Sequence, residues 1–114
     1  MSQAGSVYSS NTPVPGTLVY RYTLVNTTPY VVLNSDEFLG VDTTTLAITI
    51  QLPNAPTIGR VFIVKDIADN ARVNNITIRS VSGTVNIDGA TSYVMNTDLE
   101  AVTVLFNGTE YLIF

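Results

Sequence analysis

The stretch LAITIQLPNAPTIGRVF, residues 46–62, constrains the fold more than any other part of the chain. Leu46, Ile48, Ile50 and Leu52 alternate with Ala47, Thr49 and Gln51. That period of two is the signature of a strand with one buried face. Pro53 has no amide proton to give a ladder, so the strand is expected to end there. Asn54, Pro56 and Gly59 supply turn chemistry. Arg60 then opens a second strand, Val61 to Lys65, whose centre is apolar on both faces. The unit is expected to be a hairpin: strand, rigid turn, strand.

The rest of the chain repeats this grammar. Thr17 to Val25, Tyr30 to Leu33, Phe38 to Val41, Ile76 to Arg79, Val85 to Ile87, Ser92 to Met95, Ala101 to Phe106 and Glu110 to Phe114 are short extended segments rich in β-branched and aromatic residues. Asx, Gly and Pro residues separate them; Asp88-Gly89 and Asn107-Gly108 are the strongest hairpin signals. Asp66 to Asn75 is polar and is expected to be a solvated loop. No segment keeps a helical period over three turns. The expected fold is all-β, an antiparallel β-sandwich that is jelly-roll-like or a short barrel. Residues 17–114 form its single domain. Residues 1–16, rich in Ser, Gly, Asn and Pro, are expected to be a flexible arm or linker. Ile48, Ile50, Leu52, Ile63, Ile76, Ile78, Val102, Val104 and Phe106 are the expected core.

With 114 residues, the chain is long enough to bury a core without disulfides or a metal. It has no cysteine and no histidine. The commonest general base, metal ligand and near-neutral proton switch are therefore missing, and Ser-His-Asp or Cys-His catalysis is impossible. Charged residues make up 12% and apolar ones 46%, about half the usual charged share. Two readings fit: a chain that hides further surface against its own copies, or a well-packed monomer with a Thr- and Asn-rich surface. Net charge is −4, and Arg21, Arg60, Lys65, Arg72 and Arg79 are scattered, which argues against a nucleic-acid partner. No apolar run approaches membrane-spanning length, so no membrane insertion is expected. MSQAGSVYSS lacks a charged-then-apolar signal pattern, so classical secretion is not indicated.

The acidic residues are the remaining candidates for chemistry. Asp36 with Glu37, Asp66 with Asp69, and Asp98 with Glu100 are the local carboxylate pairs, the residue type that glycoside hydrolysis needs. All fall in expected turns, where solvated acids are common. The segment Asp66 to Asn70 could offer oxygens to calcium but lacks the alternating acids and closing Glu of an EF-hand loop. Asn26, Asn75 and Asn107 each open an N-x-Thr sequon, a short pattern that arises by chance in such a composition. No cofactor motif, metal motif or enzymatic residue set emerges.

A family resemblance lies in the order of the pieces. Phe38-Leu-Gly-Val-Asp-Thr-Thr-Thr45, then Ile48-Thr-Ile-Gln-Leu-Pro-Asn-Ala-Pro56, then Gly59-Arg-Val-Phe-Ile-Val-Lys-Asp66, resembles a module of virion fibre and tail-fibre proteins of tailed bacteriophages and some large DNA viruses. Asn70-Ala71, Asn74 to Ile78, Ile87 to Ala90 and Val102 to Thr109 continue the likeness, which spans roughly Thr23 to Phe114. Glu110-Tyr111 departs from the Asn-Trp that often follows the Asn-Gly-Thr turn, which weakens any carry-over of an aromatic binding position. The resemblance implies a trimerising structural domain of a virion, assembled in the host cytoplasm, without enzymatic activity or cofactors. Its partners would be two further copies, other virion proteins through the arm, and a host surface glycan or protein. The alternative is a stand-alone carbohydrate- or protein-binding β-sandwich.

Two surfaces are expected on this basis. Phe62, Val64, Leu112 and Phe114 lie in strands apolar on both faces and are the expected oligomer interface. Tyr30 and Tyr93, with Asp66, Asp69, Asn70 and Asp88 in the Asx-rich loops, are the expected receptor-binding set at one end, since aromatic faces beside amides and carboxylates suit sugar rings.

Overall fold

A computed structural model of the protein describes residues 18–114. The expected arm, residues 1–16, lies outside them. Nine strands form: β1 (Tyr22–Val25), β2 (Tyr30–Val31), β3 (Phe38–Val41), β4 (Ile48–Leu52), β5 (Val61–Asp66), β6 (Ile76–Ser80), β7 (Ser92–Met95), β8 (Ala101–Phe106) and β9 (Tyr111–Ile113). No helix occurs among the described residues. The all-β expectation holds, and two sheets sandwich one core.

The strand pairing differs from expectation. One sheet has five strands in the order β1-β3-β5-β8-β9, the other four in the order β2-β4-β6-β7. Through β6 the chain crosses to the opposite sheet after every strand. Each new strand lies parallel to the last one laid in its sheet: β1 with β3, β3 with β5, β2 with β4, and β4 with β6. Only then does the chain reverse, and β6-β7, β5-β8 and β8-β9 are antiparallel. The architecture is a mixed sandwich of stacked coils, closed at its C-terminal side by antiparallel strands, rather than an antiparallel jelly roll or a barrel.

The expected hairpin at residues 46–62 is therefore an arch. β4 ends at Leu52 as Pro53 dictates, but the segment through Arg60 carries the chain into the other sheet. Ile48, Ile50 and Leu52 face the core from one side, Phe62 and Val64 from the other, all at most 1% exposed. Arg60 fixes the arch: its guanidinium donates to the carbonyls of Val61 (2.7 Å), Asn34 (2.8 Å) and Asp36. It also sits 4.2 Å from the Phe62 ring centroid, within cation–π range.

Eight of the nine expected core residues are buried. Ile63 is the exception. β5 carries Phe62, Val64 and Asp66 inward and Val61, Ile63 and Lys65 outward, the reverse of the expected facing. Phe62 and Val64 are consequently core residues and are withdrawn from the expected interface. Tyr111, fully buried, lies against Phe62 and Phe106 at 6.4 and 5.2 Å between ring centroids. Its hydroxyl donates to the Pro53 carbonyl at 2.7 Å, tying β9 to the end of β4 across the core.

Both Asx-Gly signals make turns. Asp88 and Gly89 have φ of 48° and 79°, and Ile87 and Ala90 exchange both backbone hydrogen bonds around them. This is the two-residue turn that positive φ at both centres allows. Val85 to Ile87 forms no strand; Ile87 makes that bridge and a second, parallel one to Tyr111. Asn107-Gly108 instead opens a four-residue loop: Phe106 pairs with Tyr111, and the Asn107 amide donates to the Glu110 carbonyl at 3.0 Å. Gly108 has φ 101°.

Candidate functional site

The loop after β5 is organised around a buried carboxylate. Asp66 is fully buried at the inward-facing end of its strand. Its oxygens accept backbone N–H bonds from Ala68, Asn70, Ala71 and Leu99, all at 2.9–3.0 Å. Burial alone would raise its pKa, but the four donors prevail and hold it below the usual aspartate value. The Asn70 and Asn74 side-chain amides both donate to the Thr43 carbonyl, at 3.0 and 2.8 Å. The loop expected to be merely solvated is thus a knot joining the ends of β3, β5 and β7.

A second buried acid sits at the opposite end of the sandwich. Asp36, 3% exposed, accepts from Thr23 Oγ1 (2.7 Å), the Tyr30 hydroxyl (2.6 Å) and the Leu33 amide (2.9 Å). Burial would raise its pKa as well, yet these donors and the Arg60 charge lower it. Burial, the Asp36 hydrogen bond and the Asp36 charge push the Tyr30 hydroxyl up to about 12. In the sequence Asp36 is only half of an acidic pair in an expected turn. Its role depends on Thr23 in β1 and Tyr30 in β2 turning their side chains onto it once the first strands are laid in their sheets.

The expected receptor-binding residues do not form one surface. Asp66, Asp69, Asn70 and Tyr93 gather toward one end. The Tyr93 hydroxyl is bonded to Glu100 Oε2 at 2.6 Å and its ring packs on the core. Tyr30 packs on the core too, with its hydroxyl turned to the other end. Asp88 is also at that other end, where its carboxylate accepts from the Ile113 amide at 3.0 Å. Asp69 is exposed. Asp66 can offer nothing outward, and both tyrosine hydroxyls are used internally. Among the described residues no three of His, Cys, Asp and Glu are grouped as metal ligands.

The two outer sheet faces differ in chemistry. On the five-stranded sheet, pairing aligns Tyr22, Phe38, Ile63 and Thr103 in one row, and Val61, Leu105 and Leu112 in another. Tyr20 and Tyr22 place their rings 6.5 and 5.9 Å from that of Phe38. Tyr22, Leu24 and Phe114 are exposed by 55, 53 and 71%. On the four-stranded sheet the outward residues are Val31, Thr49, Gln51, Thr77, Arg79, Ser92 and Val94, and none of its strands contains a carboxylate. There Thr49, Thr77, Arg79, Gly83, Thr91 and Ser92 line an open trough of about 360 Å³.

The described basic side chains differ in how they are engaged. Arg60 is bonded to three carbonyls, Lys65 donates to the Leu99 carbonyl, and Arg72 pairs with Asp98 at 3.4 Å. The Arg79 guanidinium has no ion pair or hydrogen bond among the described residues. It lies against Gly83, where any β-carbon would collide with Nη2. Gly83 has φ 77°, held by its amide bonds to the Ser80 carbonyl and Oγ.

These faces define the class of the protein by fold: a mixed β-sandwich of stacked coils with one apolar and one polar outer face. Compared with known proteins, the chain matches no protein-family model and no curated protein.

Proposed function

We propose that the chain is a non-enzymatic structural module of a virion fibre, and that three copies meet through the outer face of the five-stranded sheet. The observation that carries this reading is the contrast between the two outer faces. A sheet face exposed to water normally reads polar, and that of the four-stranded sheet does. Sheets with much parallel pairing are commonly covered on both sides. Apart from Lys65 and Thr103, the outer face of β1, β3, β5, β8 and β9 is apolar, and the described chain has no layer to put over it.

The size of the patch favours a second copy as its cover. Tyr20, Tyr22, Leu24, Leu112 and Phe114 expose on the order of 600 Å² between them, at the top of the roughly 300–600 Å² of a monomer's largest apolar patch. The partly exposed Phe38, Val61, Ile63 and Leu105 bring the face near the roughly 800 Å² per partner of a stable interface. Leu112 and Phe114 remain in the proposed interface; Ile63 and Tyr22 replace Phe62 and Val64. The number three and the virion setting come from the fibre resemblance, which spans roughly Thr23 to Phe114. A threefold ring closes on itself through head-to-tail contacts. The arm of residues 1–16 would join each copy to other virion proteins.

Sedimentation velocity on the parent protein tests the assembly. The expected result is a trimer, with Ile63→Asp shifting it to a folded monomer. A parent that stays monomeric across the micromolar range overturns the proposed interface. Mass spectrometry of purified virus particles tests the setting; absence of the chain from them overturns the fibre reading.

A further inference from the structure

We propose that the trough on the outer face of the four-stranded sheet binds a carboxylated sugar, a uronate-type ring, with Arg79 holding the carboxylate and the flanking hydroxyls holding the ring. Three observations converge on it. First, Arg79 is the one charged residue in the strands of that sheet, and it has no carboxylate partner among the described residues. An arginine fork matches a carboxylate in two parallel hydrogen bonds. Second, the guanidinium lies against Gly83, where the absence of a side chain leaves it room at the trough. Third, strand register sets hydroxyls around it. Thr49 lies beside Thr77, and Ser92 lies directly opposite Arg79.

The chemistry selects among anions. A free phosphate or sulfate ion can accept from the guanidinium and one neighbouring hydroxyl, but it is too small to reach both Ser92, opposite Arg79, and the Thr49–Thr77 pair two residues along the strand. A polyanion needs several cations in line, and this trough has one on a chain of net charge −4. A single carboxylate on a polyhydroxylated ring uses both features. The volume of about 360 Å³ falls at the small end of ligand-site sizes, suited to one ring. The trough faces away from the apolar sheet, so it is reachable whether or not that sheet is covered.

The test is a titration of the isotope-labelled protein with sodium glucuronate, glucose and sodium acetate, followed by amide chemical shifts. Glucuronate is expected to give saturable shifts at Thr77, Arg79 and Ser92 with a millimolar-range Kd. Glucose and acetate, each carrying half of the recognised chemistry, are expected to bind at least about tenfold more weakly. Arg79→Gln should weaken glucuronate about tenfold while melting with the parent. Thr77→Val, which keeps the strand's shape and charge, should weaken it severalfold. No saturable shift, acetate binding as tightly as glucuronate, or an unchanged Kd in Arg79→Gln would each overturn the site.

Discussion

Asp66 and Asp36 show how little a carboxylate's local sequence says about its work. Each is an acid at the edge of a turn by sequence, and each is a buried acceptor by structure. Replacing Asp66 with Asn leaves backbone donors facing an amide that cannot accept from all four. Leaving buried donors unsatisfied costs about 1–3 kcal/mol apiece, and water can relieve some of it, so Asp66→Asn is expected to lower stability by about 2–4 kcal/mol in urea unfolding. The pH dependence follows in sign. Both acids have folded pKa values below the unfolded value near 3.8, so the unfolded chain binds protons first as the pH drops. Their contribution is complete above the unfolded pKa and lost as pH falls through the folded one. Urea midpoints should be flat in this respect from about pH 7 to 5 and fall below about pH 4, with a shallower fall in Asp66→Asn. A midpoint that rises on acidification would contradict the assignment.

β5 illustrates the same point for a strand. Val61, Phe62, Ile63 and Val64 are apolar on both faces, so alternation cannot say which pair is inside. Register decides it: Phe62 lies beside Val104, and Val64 beside Leu39 and Val102, all buried. Phe62→Ala is expected to cost about 3–5 kcal/mol, and Ile50→Ala in β4 about 2–5 kcal/mol. Ile63→Ala should cost the isolated domain far less, since that side chain is already partly in water. Equal losses at positions 62 and 63 in denaturant titrations would refute the facing. In the β8-β9 loop, Gly108 combines a φ of 101° with Ile58 side-chain atoms 3.1 Å from where a β-carbon would sit. Gly108→Val is therefore expected to destabilise by about 1–3 kcal/mol. A variant as stable as the parent would mean that the loop tolerates a branched side chain there.

Taken together, the molecule is a slab with two unlike outer surfaces, which gives the two proposals a common geometry. Copies joined through the five-stranded sheet would turn their four-stranded sheets, each with its Arg79 trough, toward solvent. Several weak sites on one particle can then act together through effective concentration. Assembly also has a thermodynamic consequence. Association that requires the folded state stabilises it by mass action. The melting temperature of the parent is expected to rise with protein concentration, and that of Ile63→Asp to be independent of it. A concentration-independent parent would argue for a monomer whose apolar face meets water.

Much of the architecture was legible along the chain. Eight of the nine residues that alternation placed in the core are buried, Pro53 ended β4, and Asp88-Gly89 and Asn107-Gly108 marked real turns, because side-chain period and backbone φ preference are properties of a few consecutive residues. The sheet partner of each strand was not legible. A period of two is the same in parallel and antiparallel strands, and an eight-residue connection with Pro and Gly serves an arch as well as a hairpin. Nor were the sites: Asp36 meets Thr23 and Tyr30, Asp66 meets Leu99, and Arg79 meets Ser92 only after the coils have stacked. The sequence by itself determined where most strands and turns fall and that their inward faces would be apolar. Tertiary structure alone decided which face of β5 is inside, which acids are buried, and which sheet is left with an apolar exterior, because each depends on pairing between residues distant along the chain.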